Sequence, residues 1–204
     1  MSWRHYLQRL SGVLSLFFLA GCATLSHEQC VRGDWFGLGI RDGYSGEPIS
    51  RLSEHINACL EYGVTVNNSN YFAGREQGLK AYCQFDNAFA TGLHGQAYHH
   101  VCPQQIDALF NRYHSAAFSV HEDGVALESL DNQLSGKERS LHDKKLTDDS
   151  RNRIRDDIRG LDRRRDRLRD DLYYHQRQLD DFRREAQYHQ RQLDDFRREA
   201  QYYR

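Results

Sequence analysis

The apolar positions along the chain fall into blocks with distinct periods. Ile49, Leu52, Ile56, Cys59 and Leu60 are spaced i, i+3, i+7, i+10 and i+11, which predicts an amphipathic helix stopping near Gly63. Tyr71, Leu79 and Tyr82 predict a second helix ending at Cys83. Gly74 and Gly78 inside it cost about 1 kcal/mol each unless another backbone packs closely there. Ile106, Leu109, Phe110, Tyr113 and Ala117 form a third stripe, entered just after Pro103, a favoured first-turn residue. From about residue 123 a 3/4 spacing takes over, through Leu127, Leu130, Leu134 and Leu141. It resumes in another heptad phase through Ile154, Ile158, Leu161, Leu168, Leu172, Leu179, Phe182, Ala186, Leu193, Phe196 and Ala200. The phase breaks between 142 and 153. There Lys144 and Lys145 suit a helix end, and Thr147 followed by Asp148 and Asp149 suits a capped start. Two helices folded back as a hairpin are therefore expected, in preference to one rod with a stutter.

The expected fold class is mostly α. A small disulfide-stapled helical domain over 30–122 precedes a charged, coiled-coil-like helical hairpin over 123–204. Within the hairpin, residues 174–187 recur unchanged as 188–201. Fourteen residues are two heptads, so the duplication keeps the register of an a/d seam. Residues 151–204 carry 16 Arg and 12 Asp+Glu, and the seam is diluted by Arg165, His175 and His189. A partner helix of about 123–145 is too short to pair with all of 148–203, so the second copy is expected to lie largely beyond the intramolecular contact.

The N-terminus has a different pattern. Arg4 and Arg9 precede an apolar run from Leu10 to Ala20, too short to span a bilayer as a permanent helix. Small residues follow, and this is the form of a cleavable export signal over 1–21. Leu19-Ala20-Gly21-Cys22 resembles the bacterial lipoprotein box, which implies that Cys22 becomes the acylated first residue. The resemblance also implies, from Ala23 in place of Asp, sorting to the outer membrane with the chain facing the periplasm. Residues 22–29 would then be a tether. Loss of Arg4 and Arg9 takes the formal charge from −1 to −3.

An exported chain changes the reading of its cysteines. With Cys22 assigned to lipid, Cys30, Cys59, Cys83 and Cys102 remain, and an oxidising compartment makes disulfides the expectation. Four cysteines allow three pairings and the sequence does not choose. Cys30–Cys59 with Cys83–Cys102 is favoured as the pairing without nesting. Loops of roughly 20–30 residues would each contribute about 3–4 kcal/mol in the chain-entropy account. A zinc site lacks the Cys-x₂-Cys pair it would need.

Composition excludes more than it assigns. Of 204 residues, 39% are hydrophobic and 28% charged, which excludes a polytopic membrane protein. Export and the interleaved acids argue against nucleic acid as a partner of the Arg-rich tail. His94, His99, His100, His114 and His121 lack a ligand pairing on one helix face, and His55 is read as a core residue. No Gly-x-Ser-x-Gly elbow is present. No catalytic motif, metal or cofactor is expected.

One set of residues is more specific. Asp34-Trp35, Gly39, Asp42-Gly43 and Gly46 are followed by His55, Cys59 and Tyr62-Gly63. Then come Tyr71, Gly74-Arg75, Gly78-Leu79, Tyr82-Cys83, Asn87-Ala88-Phe89, Gly92, Gly95, Tyr98 and Val101-Cys102-Pro103. This set resembles a family of short proteobacterial lipoproteins known only as a domain of unknown function, family 2799. The resemblance implies location and architecture and brings no activity. The functional expectation is an envelope lipoprotein serving as a structural or protein-interaction module, with a membrane bound through its anchor and an envelope protein through its tail. The alternative is a periplasmic protein holding a small ligand or glycan on a surface around Trp35, Tyr44, Tyr71 and Tyr98.

Overall fold

The computed structural model describes residues 24–202. The export signal and Cys22 lie outside the described residues, as do the side chains of Phe196 and Ala200. Among the described residues there are seven helices and no strand: α1 His27–Arg32, α2 Trp35–Tyr44, α3 Arg51–Leu60, α4 Asn68–Tyr82, α5 Phe85–Leu93, α6 Gln104–Leu141 and α7 Asp148–Tyr202. The fold is all helical, stapled near its N-terminus and extended by two long helices.

Two cores divide the work. The first gathers Leu25, Cys30, Trp35, Leu38, Leu52, Cys59, Val66 and Tyr71 from α1–α4. The second gathers Tyr82, Phe85, Phe89, Ile106, Phe110, Tyr113 and Ala117 from α4–α6, together with Leu179 and Ala186 of α7. Each core carries one disulfide. Cys30–Cys59 ties α1 to α3, and Cys83–Cys102 closes the segment between α4 and α6.

The first core depends on glycine. Gly39 and Gly43 of α2 face Gly74 and Gly78 of α4, and a Cβ at any of the four would overlap backbone of the opposite helix. The two helices therefore cross backbone to backbone, and the entropic cost of glycine within a helix is offset by that approach. In α3 the buried face is Leu52, His55, Ala58 and Cys59. Ile49 lies before the helix and Leu60 on its outer side, 59% and 69% exposed, so the stripe assigned from spacing is rotated toward His55.

The expected tether over 22–29 is corrected for the part described. Leu25 is buried, and Ser26 caps α1 through a reciprocal box with Gln29: Ser26 N donates to Gln29 Oε1 at 2.8 Å, and Gln29 N to Ser26 Oγ at 3.3 Å. The boundary between 122 and 123 falls inside α6, which is continuous from Gln104 to Leu141. No glycine kink forms at Gly124, where open space surrounds the residue. The globular part and the hairpin thus share a helix.

The hairpin turn forms at 142–147. Thr147 Oγ1 accepts from Ser150 N at 3.2 Å, and Arg151 donates to the carbonyls of Leu141 and Asp143. Helix α7 then returns along α6. The polar seam positions have partners that fix its register: Arg165 lies 3.7 Å from Asp131, and His175 Nδ1 is 2.6 Å from Asp123. Because α6 begins at Gln104, the seam continues far past the length expected for the partner helix. Leu179, Phe182 and Ala186 enter the second core, and Leu193 packs against its edge. The first copy of the duplicated segment is therefore core, and the second is not wholly outside the contact.

Candidate functional site

Two groupings of polar side chains can be examined for chemistry. The first centres on Asp42 of α2. Its Oδ2 accepts from Tyr71 Oη at 2.7 Å and pairs with His55 Nε2 at 2.8 Å. His55 Nδ1 in turn lies 2.9 Å from Thr24 Oγ1. Burial by itself would raise the Asp42 pKa. The hydrogen bonds from His55 and Tyr71, with the charges of His55 and Arg51, outweigh it and hold the carboxyl below its usual value. Burial and the neighbouring Asp42 push the Tyr71 phenol up. Hydroxyl, imidazole and carboxylate stand in the order of a hydrolase relay. His55 is only 2% exposed, however, and a substrate has no access to it. The network ties α2, α3 and α4 to the segment before α1.

The second grouping lines a cleft of about 540 Å³ where the two cores meet. One wall is the turn after α2, Tyr44-Ser45-Gly46-Glu47. The floor is Tyr82 at the end of α4, with Asn87 and Thr91 of α5. The other wall is the loop residues Gln96, Ala97 and His99. Gly46 is required here: it holds φ +69°, and a Cβ would run into the Tyr82 ring. Buried Arg75 fixes the first wall, donating from Nη2 to the Glu47 carbonyl at 2.6 Å. Asn87 Nδ2 donates to Tyr82 O at 2.8 Å, and Thr91 Oγ1 to Asn87 O at 2.7 Å. The polar atoms of the floor are thereby oriented by backbone.

The four aromatic candidates do not converge. Trp35 is buried beside a shallow cavity with Asp34 and Arg41, and Tyr71 is core. Tyr98 donates to Asp107 Oδ1 at 2.6 Å and borders a separate groove with His114 and Phe118. Only Tyr44 stands at the cleft, 67% exposed. The histidines are likewise dispersed. His100 pairs with Asp107, His114 Nε2 lies 2.7 Å from Gln96 O, and His121 Nδ1 lies 3.0 Å from Leu93 O. Burial lowers the His114 pKa. Among the described residues no group of three metal-ligating side chains forms, and no helix is long and apolar enough to cross a membrane.

Sequence reasoning missed Glu47, Asn87, Thr91 and Gln96. They lie up to 49 positions apart on three segments, and only Asn87 and Thr91, one turn apart in α5, share a helical spacing. The one signal was Tyr44-Ser45-Gly46, read as a turn.

The comparisons with known proteins add one finding. Residues 34–119 match the model of a family described as "Protein of unknown function (DUF2799)". The match covers Cys59, Cys83 and Cys102 and most of both cores, begins after Leu25 and Cys30 of the first, and stops before the hairpin arm. No curated protein and no solved structure matches the chain.

Proposed function

We propose that the protein is an envelope lipoprotein, acylated at Cys22 and held at the outer membrane facing the periplasm, that works as a structural or protein-interaction module. The observation that carries this reading is the arm formed by α6 and α7. Beyond His121, α6 runs on to Leu141, roughly 30 Å at 1.5 Å per residue, in contact with α7 alone. Leu130 and Leu134 are buried, outside both core clusters, in the seam between α6 and α7. Its outer faces are charged, with Val125, Tyr173 and Tyr174 as the exposed apolar positions. The distal part of the arm, beyond His121 in α6 and ahead of Leu179 in α7, adds reach and surface, while the proximal part of both helices belongs to the second core.

The anchor is supported by the Leu19-Ala20-Gly21-Cys22 sequence after a short apolar run. With Leu25 buried and α1 starting at His27, little slack separates an acylated Cys22 from the first core. The membrane would then lie close to that core, and the arm would supply the reach that a tether does not. The test is Cys22→Ser in cells. Lipid labelling should disappear and unprocessed precursor accumulate. A variant still matured and retained in the outer-membrane fraction overturns the reading.

A further inference from the structure

The cleft between the two cores has the chemistry of a site for a neutral, multiply hydroxylated ligand, and we propose that it binds a glycan segment of one or two sugar rings. The size fits: about 540 Å³ lies within the roughly 300–1,000 Å³ range of small-ligand sites, and the cleft lies at a junction between structural units, where such sites concentrate.

The lining selects the class. No lysine or arginine is among the residues that line the cleft, so a phosphate or carboxylate group would meet no cation there beyond a protonated His99. An acyl chain is equally mismatched, since hydroxyl, carboxamide and carboxylate groups come from every wall. What the cleft offers is hydrogen bonding in both senses, with Glu47 as its carboxylate acceptor. The Ser45, Glu47 and Gln96 side chains make no hydrogen bond within the described residues and remain open to a ligand. Asn87 has committed its Nδ2 to Tyr82 O, which leaves its Oδ1 as an acceptor on a backbone-oriented side chain, while the Thr91 hydroxyl is held by Asn87 O and the Tyr82 phenol. Hydroxyl groups of a sugar donate and accept, and this set complements them. Pre-orientation of the floor reduces the ordering cost of binding. Tyr44 at the rim completes the arrangement with an exposed aromatic face, onto which the C–H face of a pyranose can stack.

The proposal is independent of the lipid anchor and of the arm, so it stands or falls separately from the preceding reading. It is tested by calorimetric titration of the full chain with a β-linked N-acetylglucosamine disaccharide at up to about 10 mM, the range for a weak single site. Saturable binding is expected. Tyr44→Ala should weaken it about tenfold, and Tyr44→Phe should leave it nearly unchanged. Ala97→Trp, a substitution at an exposed loop position that fills the cleft, should abolish it. Thermal unfolding of each variant checks that the fold is kept. Absence of binding by the unsubstituted chain overturns the proposal. So does binding indifferent to both Tyr44→Ala and Ala97→Trp, or tighter binding of spermidine, which would assign the cleft to a cation through Glu47.

Discussion

Residues 174–187 and 188–201 share one sequence and one helix, yet they occupy different surroundings. In the first copy Leu179 is 3% exposed and Ala186 2%, both within the second core. In the second copy Leu193 is only half-buried against that core. His175 reaches across to Asp123 of α6, whereas its counterpart His189 turns back to Glu185 on its own helix, at 3.3 Å. What repeats is local. Arg184 pairs with Asp181 and Arg198 with Asp195, each within one turn, and Tyr174 and Tyr188 are both exposed. Contacts within a turn follow from the sequence wherever it is placed. Contacts across helices depend on how far α6 extends, and the Arg112–Glu185 pairing of the antiparallel helices places its first residue, Gln104, opposite the middle of the second copy.

The largest contrast is expected at the two leucines. Leu179→Ala should cost about 2–5 kcal/mol through a cavity in a packed core. Leu193→Ala should cost about 1 kcal/mol, since part of the side chain already meets water. Urea unfolding of the two variants measures both, and equal losses would erase the distinction between the copies.

Alkaline titration probes the same seat from the α6 side. Tyr113, stacked in the second core, has its phenol pushed up to about 12 by burial and by the charge of Glu185. The unfolded chain loses this proton near pH 10.0, so the stability it supports is present below pH 10 and falls as pH rises toward 12. The fall should be on the order of 1–2 kcal/mol, allowing for solvent screening at the partly exposed Glu185. Thermal unfolding against pH should show this slope, and Tyr113→Phe should reduce it, leaving the part that comes from Tyr71, Tyr82 and Tyr98, whose phenols burial also pushes up.

A smaller effect is expected at Glu185, which pairs with Arg112 and accepts from Tyr113 Oη at 3.4 Å. Glu185→Ala should cost about 1 kcal/mol, and Glu199→Ala, at the same place in the second copy, within about 0.5 kcal/mol. Deleting 188–201 should cost no more than the single change at Glu185. One intact copy remains to fill the seat, and about 1 kcal/mol, or 2–4 °C in Tm for a chain of this size, should be lost. A drop of more than about 10 °C would show that the second copy is as much a part of the core as the first.

Much of the architecture was legible because it rests on short-range rules. The 3/4 spacing marked α7 along its length, and its seam positions from Ile154 to Leu193 are all buried or half-buried. Thr147 and its following aspartates marked the start of α7 to the residue. Gly74 and Gly78 signalled a close backbone approach, but not that Gly39 and Gly43 supply the other half. The continuity of α6 was hidden because its apolar face changes partner near residue 121, from α5 to α7, and the composition shifts there without a break in the backbone.

By itself the sequence determined the helical class, the hairpin turn, the duplicated register and the set of four cysteines available for pairing, since each is written in neighbouring residues or in a fixed period. Tertiary structure alone decided that the two disulfides sit in separate cores, that the first copy of the repeat is buried, and that a polar cleft opens between the cores. Those features are made of residues from distant segments, whose meeting depends on helix lengths and on how closely glycine lets two backbones approach. No local pattern records such a meeting. Tyr71 shows the difference most clearly: its aromatic ring suggested a ligand surface, and the crossing of α2 and α4 placed it at 0% exposure, holding Asp42.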